Sequence, residues 1–233
     1  MKLLAVDSNS VINRAYYGIK PLTTHDNRYT HAILGFMNIL FKICDELNPD
    51  RIVFAFDLKE PTFRHKMFDQ YKAGRKGMPP ELYSQLAPLK ELLTAMGYPI
   101  ITKAGYEADD ILGTISKMCH DNGDFCYIAT GDRDSFQLVN ESVNVRLATT
   151  KAGASLATLI DEKYIEEKFG LTPPMLIDVK ALMGDSSDNI PGVAGIGEKT
   201  ALALIAEFKT LDGVYENINK LSIKKGVREK LLA

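Results

Sequence analysis

The stretch Leu3-Leu4-Ala5-Val6-Asp7 indicates the fold, because it is a short apolar run that ends on an acid. Two later stretches have the same form: the run 52–56 precedes Asp57, and the run 126–131 precedes Asp132. Short apolar runs of this kind are typical of buried strands in an α/β sheet. Ligand sites in such sheets lie just beyond the carboxyl ends of the strands. The sequence therefore predicts three strands that each bring an acid to one edge of the sheet.

Further acids recur along the chain, in a cluster at 107–110 and in two closely spaced pairs. The nine candidate metal ligands are Asp7, Asp57, Glu107, Asp109, Asp110, Asp132, Asp134, Asp185 and Asp188. Carboxylates gathered at one edge repel each other unless divalent cations neutralise them, and oxygen ligands suit Mg²⁺ or Mn²⁺. Any single acid could instead cap a helix or complement a helix dipole. Their recurrence favours a metal site.

The charge of the chain is divided between these acids and the rest of the protein. The formal net charge is −2, from 28 Lys and Arg against 30 Asp and Glu. Without the nine candidate ligands, 21 acids remain against 28 basic residues, which leaves the rest of the chain at +7. A basic exterior around an acidic centre is typical of proteins that bind a polyanion.

The cysteines and the apolar content exclude several classes of protein. Cys44, Cys119 and Cys126 are odd in number and form no C-x-x-C pair, so they suggest neither a disulfide framework nor a zinc site. The start of the chain becomes acidic at Asp7, too early for a signal peptide. No apolar stretch reaches membrane-spanning length, so we expect no membrane partner and a soluble, intracellular protein.

The alternation of strands and helices predicts the architecture. Strand-like runs lie at about 2–6, 51–56, 99–102, 125–130 and 143–148, and helical patterns at about 30–47, 80–96 and 107–121. They predict an α/β domain over residues 1–160, with a mostly parallel sheet flanked by helices. Shorter helical patterns at about 161–169, 173–183, 197–208 and 211–218 predict an α-helical second part, residues 161–233.

A basic-aromatic segment, residues 59–77, follows Asp57. It holds Lys59, Arg64, Lys66, Lys72, Arg75 and Lys76, interleaved with Phe63, Phe68 and Tyr71. Basic residues that alternate with aromatic ones suit single-stranded nucleic acid, with charges on phosphates and rings on base faces. The same pattern also fits an amphipathic helix whose aromatic residues pack inward. The position of the segment, directly after a candidate metal ligand, favours contact with a substrate.

A glycine-rich stretch at 192–201 forms the second distinctive segment. Its glycine order matches neither a dinucleotide-binding fingerprint nor a Walker loop. Gly195-Ile196-Gly197 before a helix fits a tight hairpin that presents backbone N–H groups to a phosphate. Helix–hairpin–helix modules hold a DNA backbone in this way, without reading the base sequence. A plain glycine-rich turn between two helices is the alternative, and the exposed Lys199 favours the DNA-binding hairpin.

Taken together, these segments resemble one family closely. They are Asp7-Ser8-Asn9-Ser10, Ala55-Phe56-Asp57, Tyr71-Lys72-Ala73-Gly74-Arg75, Gly105-Tyr106-Glu107-Ala108-Asp109-Asp110, Gly131-Asp132-Arg133-Asp134, the run 184–192 and the run 195–201. The family is the 5′–3′ exonuclease domain found at the N-terminus of bacterial DNA polymerase I, within the flap endonuclease superfamily. The similarity runs from residue 7 to about 208, and the combination of the last two runs is its most specific part.

The resemblance implies a fold and a set of site residues. The fold would be PIN-like or resolvase-like, with a helical arch at about 59–78 and a helix–hairpin–helix (helix–three-turn–helix) at about 184–208. A first metal site would use Asp7, Asp57, Glu107, Asp109, Asp110 and Asp132, and a second would use Asp132, Asp134, Asp185 and Asp188. Tyr71, Lys72 and Arg75 match the arch residues that reach the scissile phosphate. DNA contacts would involve Arg14, Arg64, Lys76, Gly192, Gly195, Gly197, Lys199 and Thr200, with a K⁺ ion at the hairpin.

The resemblance also implies an activity. It implies a structure-specific 5′ nuclease, acting as 5′–3′ exonuclease and 5′-flap endonuclease through two or more Mg²⁺ or Mn²⁺ ions. Its substrate would be DNA with a 5′ flap, nick or gap, or an RNA primer in a hybrid, met during replication and repair. We expect a monomer in the bacterial cytoplasm, associated with the nucleoid, that works with polymerase domains in cis or in trans.

Two alternatives come from other classes of function. One is a catalytically weak DNA-binding module, against which the complete set of acids argues, because a binder gains nothing from negative charge near DNA. The other is a PIN-like ribonuclease, which would lack the hairpin at 192–201. One residue departs from the family pattern: Ser8 follows the first Asp, where the family usually has Gly. We expect its side chain either to crowd the metal pocket or to add a hydrogen bond.

Overall fold

Six strands form the central sheet of this computed structural model, which describes residues 1–151, 154–220 and 222–233. The strands are β1 (Lys2–Asp7), β2 (Arg51–Ala55), β3 (Ile100–Ile101), β4 (Phe125–Thr130), β5 (Val143–Lys151) and β6 (Ala154–Ile160). Their order is β3-β2-β1-β4-β5-β6. The pairings β2–β3, β1–β2, β1–β4 and β4–β5 are parallel, and β5–β6 is antiparallel. The predicted mostly parallel sheet is confirmed.

Helices accompany this sheet along the first part of the chain. They are α1 (Ser8–Gly18), α2 (His31–Leu47), α3 (Phe63–Met67), α4 (Pro80–Ala95) and α5 (Ala108–Asp121), followed by a 3-10 helix at Arg133–Leu138. Leu4, Phe36 and Phe54 belong to one buried cluster that also includes Leu89 of α4. Apolar side chains of β1 and β2 therefore pack with those of the helices, and this burial is the main favourable term in folding.

The structure divides into two compact units. Unit 1 comprises Met1–Phe63 and Gly77–Asp161, and unit 2 comprises Arg64–Lys76 and Glu162–Ala233. Residues 64–76, which were predicted to lie in the first domain, therefore belong with the second part of the chain. The reason is local bonding: the Lys72 backbone N–H donates to the Asp188 carbonyl oxygen at 2.8 Å, and Asn189 Nδ2 donates to the Gln70 carbonyl oxygen at 2.8 Å.

Unit 2 is mainly helical, as predicted. Its helices are α6 (Glu162–Phe169), α7 (Met175–Met183), α8 (Glu198–Phe208), α9 (Leu211–Glu216) and α10 (Lys225–Leu232), and a short ribbon joins β7 (Gly184–Asp185) to β8 (Ile190–Pro191). Leu182, Ile205 and Val214 are fully buried at the centre of its own apolar cluster. None of the helices in the described parts of the chain has the length and apolarity that a membrane crossing requires.

The basic-aromatic segment contains less helix than an arch implies. Its one helix is the five-residue α3, and turns follow from Asp69 to Gly74. Lys72 has a positive φ of 57°, a left-handed conformation that interrupts a right-handed helix. Pro79 and Pro80 then define the start of α4. The predicted arch is therefore a short helix followed by a turn-rich stretch.

Candidate active site

Asp7 lies where β1 ends and α1 begins. Its side chain is buried, with 6% of its surface exposed. The Thr130 hydroxyl donates to Asp7 Oδ2 at 2.7 Å, and the Ser10 backbone N–H donates to Oδ1 at 3.0 Å. Because β1 and β4 run in parallel, the carboxyl end of β4 brings Thr130 beside this acid. Asp7 therefore caps α1 and also stands at the carboxyl ends of two neighbouring strands.

The acids after β2 meet the N-terminus of α5. Asp57 Oδ1 accepts a hydrogen bond from the Ala108 backbone N–H at 2.7 Å. Glu107 is the N-cap of α5, and Asp110 Oδ2 accepts from the Glu107 backbone N–H at 2.9 Å, as part of a capping box. The positive end of the helix dipole and its unpaired N–H groups attract these carboxylates. The N-terminus of α5 thus holds acids from two elements together.

Asp132 and Asp134 follow β4 at the start of the 3-10 helix. Asp132 Oδ1 accepts from the Asp134 backbone N–H at 2.9 Å, and the Asp132 backbone N–H donates to Thr130 Oγ1 at 3.0 Å. Thr130 therefore bonds to both Asp7 and Asp132. Ser10 contributes in the same way, because its Oγ accepts from the Gly131 backbone N–H at 2.8 Å.

Mutual repulsion shows that these acids lie close together. Burial, and after it the carboxylates of Asp7, Asp132, Asp57 and Glu107, together raise the pKa of Asp109 to about 7. Burial is also the main cause that raises the pKa of Asp7; the Asp57 and Asp132 carboxylates add to it, hydrogen bonds from Thr130 and Ser10 oppose it, and the resulting pKa is about 6. Unit 1 thus contains a cluster of acids whose negative charges are incompletely compensated.

We expect Asp109→Asn to stabilise the protein at pH 8 in the presence of a chelator. The folded-state pKa of Asp109 is raised from 3.8 to about 7, so its contribution to stability is complete below about pH 4 and is lost as the pH rises through 7. Asn carries no charge, so the gain in the free energy of unfolding at pH 8 should be roughly 2 kcal/mol. Urea unfolding at pH 8 and pH 5 measures this gain.

The control for this prediction is Asp121→Asn, which removes an exposed acid from the other end of α5. It should not stabilise the protein at either pH. The gain from Asp109→Asn should shrink by more than half at pH 5, where the wild-type carboxyl is already mostly protonated. A gain of equal size at both pH values would contradict a repelled, ionised Asp109.

The capping alternative holds for three of the nine acids. Asp7, Glu107 and Asp132 are N-caps of α1, α5 and the 3-10 helix. Over residues 1–151, 154–220 and 222–233, no three Asp, Glu, His or Cys side chains are already arranged to hold a metal ion. A carboxylate has about four lone-pair sites, so a cap that uses one of them leaves others for a ligand.

The two remaining acids belong to unit 2. Lys180 Nζ donates to Asp185 Oδ2 at 2.7 Å, and the Ser187 N–H and hydroxyl both donate to Oδ1 at 2.8 Å. Partial burial alone would raise the pKa of Asp185, but these donors and the Lys180 charge hold its pKa well below the usual range. The Asp185 carboxyl group is therefore ionised throughout the neutral pH range.

Close backbone contact fixes the ribbon that carries Asp185. Gly184 has a positive φ of 75°, and a Cβ there would overlap backbone atoms of Ile190, Pro191 and Gly192. A Cβ on Gly192 would in turn overlap backbone atoms of Leu182, Met183 and Gly184. Glycine at both positions allows the two arms of the ribbon to approach, and this holds the loop 186–189 in place.

Asp188 is the centre of the bonding between this loop and the basic-aromatic segment. The Tyr71 hydroxyl donates to Asp188 Oδ2 at 3.0 Å, and the Arg75 guanidinium donates to Oδ1. Lys72 Nζ lies 3.9 Å from Oδ2. Only 15% of the Asp188 side chain is exposed. The three predicted arch residues thus converge on one predicted metal ligand of the same unit.

The glycine-rich stretch forms a turn before α8. Gly195 has a positive φ of 76°, and its carbonyl oxygen accepts from Lys230 Nζ at 2.9 Å. Ile196 is buried in the core of unit 2, whereas Lys199 is exposed. Gly197 is the N-cap of α8 and supplies no side-chain cap. The first turn of α8 is therefore accessible from solvent.

We expect Gly195→Ala and Gly197→Ala to differ in stability. Ala at Gly195 would adopt a positive φ and bring its Cβ to 2.9 Å from Lys230 Nζ, so the free energy of unfolding should fall by about 1 kcal/mol. Gly197 has an ordinary φ of −99° and open space around a Cβ, so its substitution should leave stability unchanged. Urea unfolding of both variants measures the difference, and equal losses would contradict this description of the turn.

Three basic residues were also predicted to contact DNA. Arg14 donates from its guanidinium to the Ala148 carbonyl oxygen, so it links α1 to β5. Arg64 lies on α3 and is partly buried, and Lys76 is exposed at the end of the basic-aromatic segment. Ser8 is fully buried, and its hydroxyl lies 3.5 Å from the Val6 carbonyl oxygen, a long hydrogen bond.

The hydrogen-bond partners of the acids were not predicted from the sequence. Thr130 and Ser10 connect the acids of β1 and β4, and Lys180 pairs with Asp185. Thr130 has one signal in the sequence, since it is the last residue of a strand before an acid. That signal becomes meaningful only when β4 is known to pair with β1.

Known proteins resemble this chain along its whole length. The family model for the 5′-3′ exonuclease N-terminal resolvase-like domain matches residues 2–170, and that for the 5′-3′ exonuclease C-terminal SAM fold matches residues 171–233. DNA polymerase I of Caldicellulosiruptor bescii is 41% identical over 233 residues, which are 100% of this chain and 27% of that protein. The Bacillus subtilis DNA polymerase I is 41% identical over 230 residues, 99% of this chain and 26% of that protein.

This chain therefore spans about a quarter of the length of these relatives. A solved structure of the bacteriophage T5 flap endonuclease, a pseudo-enzyme-product complex with DNA and metal ions, has the same fold. Its TM-score is 0.78 at 22% identity, and the match covers 99% of this chain and 84% of that one. The two family models follow one another along the chain and together match residues 2–233. The chain therefore belongs to the 5′–3′ exonuclease family.

Proposed function

We propose that this chain is a structure-specific 5′ nuclease, which hydrolyses DNA phosphodiesters near the 5′ end of a strand. The observation that supports this most is the cluster of acids in unit 1, where the pKa of Asp7 is raised to about 6 and that of Asp109 to about 7. Buried acids that repel each other reduce the stability of a fold. They occur in a chain that belongs to an exonuclease family, which favours a catalytic purpose.

The donor chemistry of this cluster fits divalent cations. Its side chains offer carboxylate oxygens alone, the ligands that Mg²⁺ and Mn²⁺ prefer. In unit 1 we assign Asp7, Asp57, Glu107, Asp109, Asp110, Asp132 and Asp134 to metal binding, and in unit 2 Asp185 and Asp188. When bound, two such cations would supply the Lewis acidity that phosphodiester hydrolysis requires.

Residues of the basic-aromatic segment would act on the phosphate. Lys72 and Arg75 carry positive charge next to Asp188, and a phosphate could take the place of that carboxylate as their partner. Fixed positive groups stabilise the charge that develops on a phosphate during hydrolysis. Tyr71 is buried and bonded to Asp188, so we assign it to positioning these two residues.

Unit 2 also offers a surface for the DNA backbone. The first turn of α8, with Gly197 at its N-cap and Lys199 exposed, would receive a phosphate of duplex DNA. Gly192, Gly195 and Thr200 belong to the same stretch, which would also hold a K⁺ ion. Arg14, Arg64 and Lys76 complete the assigned DNA contacts. These contacts reach the backbone, so the expected specificity is for strand structure.

The substrate and partners follow from this assignment. We propose that the substrate is DNA with a 5′ flap, nick or gap, including a strand that begins with an RNA primer. Since the relatives are polymerases and this chain matches about a quarter of their length, polymerase domains in cis or in trans are the expected partners. Removal of flaps and primers in replication and repair would be its role.

One experiment tests the proposed function. A 5′-labelled flap on duplex DNA is incubated with the protein in the presence of Mg²⁺ or of EDTA, and the products are sized on a gel. We expect cleavage near the flap junction with Mg²⁺ and none with EDTA. Binding without cleavage under both conditions would instead support a DNA-binding module. Cleavage of single-stranded RNA in preference to the flap would support a PIN-like ribonuclease.

A further inference from the structure

A cavity of about 250 Å³ lies in unit 2, between the basic-aromatic segment and the loop after β7. Its lining residues are Phe68, Gln70, Ser186, Asn189, Ile190 and Pro191. Both walls belong to the same unit. Two hydrogen bonds hold these walls together: Asn189 Nδ2 donates to the Gln70 carbonyl oxygen, and the Lys72 N–H donates to the Asp188 carbonyl oxygen, both at 2.8 Å. The two walls of the cavity are thus bonded to each other within unit 2.

The lining combines apolar faces with polar edges. The Phe68 side chain is 37% exposed and that of Ile190 is 42% exposed, although both are large and apolar. Gln70, Asn189 and Ser186 are polar residues of the same lining, and the Asn189 amide donates to the Gln70 carbonyl oxygen. A nucleobase has matching chemistry, because it presents two flat apolar faces and a polar edge, and unpaired bases are bound by stacking on exposed aromatic rings.

The charges near the cavity favour a nucleotide over an uncharged ligand. Lys66 precedes Phe68 and is exposed, and the exposed acid Asp69 follows it. Lys72 and Arg75 pair with Asp188, so they become available to a strand when a phosphate takes the place of that carboxylate. Such cations attract the phosphates on either side of a base. An apolar peptide would gain nothing from this positive charge, whereas one unpaired nucleotide uses both the ring and the cations.

We propose that this cavity binds one unpaired nucleobase of single-stranded DNA, stacked against Phe68 and Ile190. The proposal rests on the proposed function, because a 5′ flap supplies the unpaired strand. It adds a site for a single base to a surface that otherwise contacts only the backbone. Phe68 is then a positioning residue for the strand, and it acts through stacking without touching the phosphate that is cut.

The test uses flap substrates in which one flap nucleotide at a time is abasic. Affinity is measured by fluorescence anisotropy in EDTA, so that binding is separated from cleavage. Stacking of one base on an aromatic side chain contributes about 1–3 kcal/mol, so the abasic nucleotide should weaken wild-type binding by about 5- to 150-fold at one position. Abasic nucleotides elsewhere in the flap should have little effect.

Variants of Phe68 then locate the stacked base. Phe68→Ala should bind the intact flap more weakly by a similar factor, and it should lose the position-specific effect of the abasic nucleotide. Phe68→Tyr keeps the ring and should retain both properties. Phe63→Ala is the matched control, because Phe63 is 38% exposed in the same segment but does not line the cavity. It should behave like the wild type.

Two results would overturn the proposal. The first is equal wild-type affinity for the intact flap and for every abasic flap. The second is a position-specific effect that survives in Phe68→Ala. Cleavage of the intact flap by the wild type in Mg²⁺ is measured in parallel, so a protein that cuts flaps but shows no abasic effect contradicts the cavity alone. Failure to cut flaps contradicts the nuclease assignment itself.

Discussion

Asp132→Asn is expected to lower the single-turnover rate of flap cleavage by roughly 10²- to 10³-fold. Asp132 follows β4, and its carboxylate raises the pKa of both Asp7 and Asp109. It therefore belongs to the centre of the acid cluster, where its negative charge would hold a cation. Asn removes that charge but keeps an oxygen for the Asp134 N–H, and Asn is as good an N-cap as Asp.

The loss should therefore concern catalysis and leave the fold intact. Single-turnover cleavage at saturating enzyme gives the rate, and flap binding in EDTA gives the affinity, which should stay equal or improve because a negative charge has been removed. Asp121→Asn is the matched control, since it removes an exposed acid of α5 that pairs with Lys117. A variant Asp132→Asn that cuts at the wild-type rate would contradict the metal assignment.

Lys72→Ala is expected to lower the single-turnover rate by roughly 10²-fold with little change in flap affinity. The Lys72 side chain reaches Asp188, but its backbone N–H makes the bond that fixes the segment to the loop. Ala keeps that N–H, and its cost at a φ of 57° is similar to that of Lys. The substitution therefore removes the charge and leaves the backbone in place.

Lys76→Ala provides the comparison, because Lys76 is an exposed residue of the same segment. If it only attracts DNA, its loss should weaken binding, leave the single-turnover rate unchanged and reduce the slope of log affinity against log salt by about one. The two variants thus separate catalysis from attraction. The same pattern in Lys72→Ala as in Lys76→Ala would show that Lys72 only gathers substrate.

The sequence predicted the strand ends and their acids because both are local signals. The run before Asp7 and the run before Asp132 are short and apolar, and β1 and β4 form at these runs. Thr130 could not be predicted as the partner of Asp7, because the two are 123 residues apart and meet only through the parallel pairing of β1 and β4. Partners of this kind depend on the order of the strands in the sheet, and this order cannot be read from any single segment of the sequence.

Several elements were not predicted, and for α1, β6 and α10 the physical reason is clear. Helix α1, Ser8–Gly18, contains several polar side chains, so its apolar residues do not recur clearly at helical spacing. The helix forms after Asp7, which caps its N-terminus. Strand β6 is an edge strand that pairs with β5, and its Leu156 and Leu159 are exposed. Its sequence therefore lacks the continuous apolar run that predicts a buried strand. Helix α10, Lys225–Leu232, is mostly basic and polar and buries Leu231.

The residues of the candidate site were predicted from the sequence, but the hydrogen bonds and ion pairs between them were not. Asp188 was assigned to a metal, and Lys72 and Arg75 to a phosphate, from two separate segments. The structure pairs these residues with one another, because opposite charges in a compact unit neutralise each other when no ligand is present. Charge patterns in a sequence show which groups are available, whereas their partners depend on the packing of unit 2.

The central place of β1 in the sheet has a consequence for the biosynthesis of the protein. β1 pairs with β2 and with β4, and roughly 75 residues of chain separate the end of β2 from the end of β4. Translation at about 5–20 residues per second needs about 4–15 s to add that length. During this interval the edge of β1 that later pairs with β4 is unpaired while the chain is still on the ribosome. Slower translation would therefore lengthen the time in which this edge can aggregate or bind chaperones.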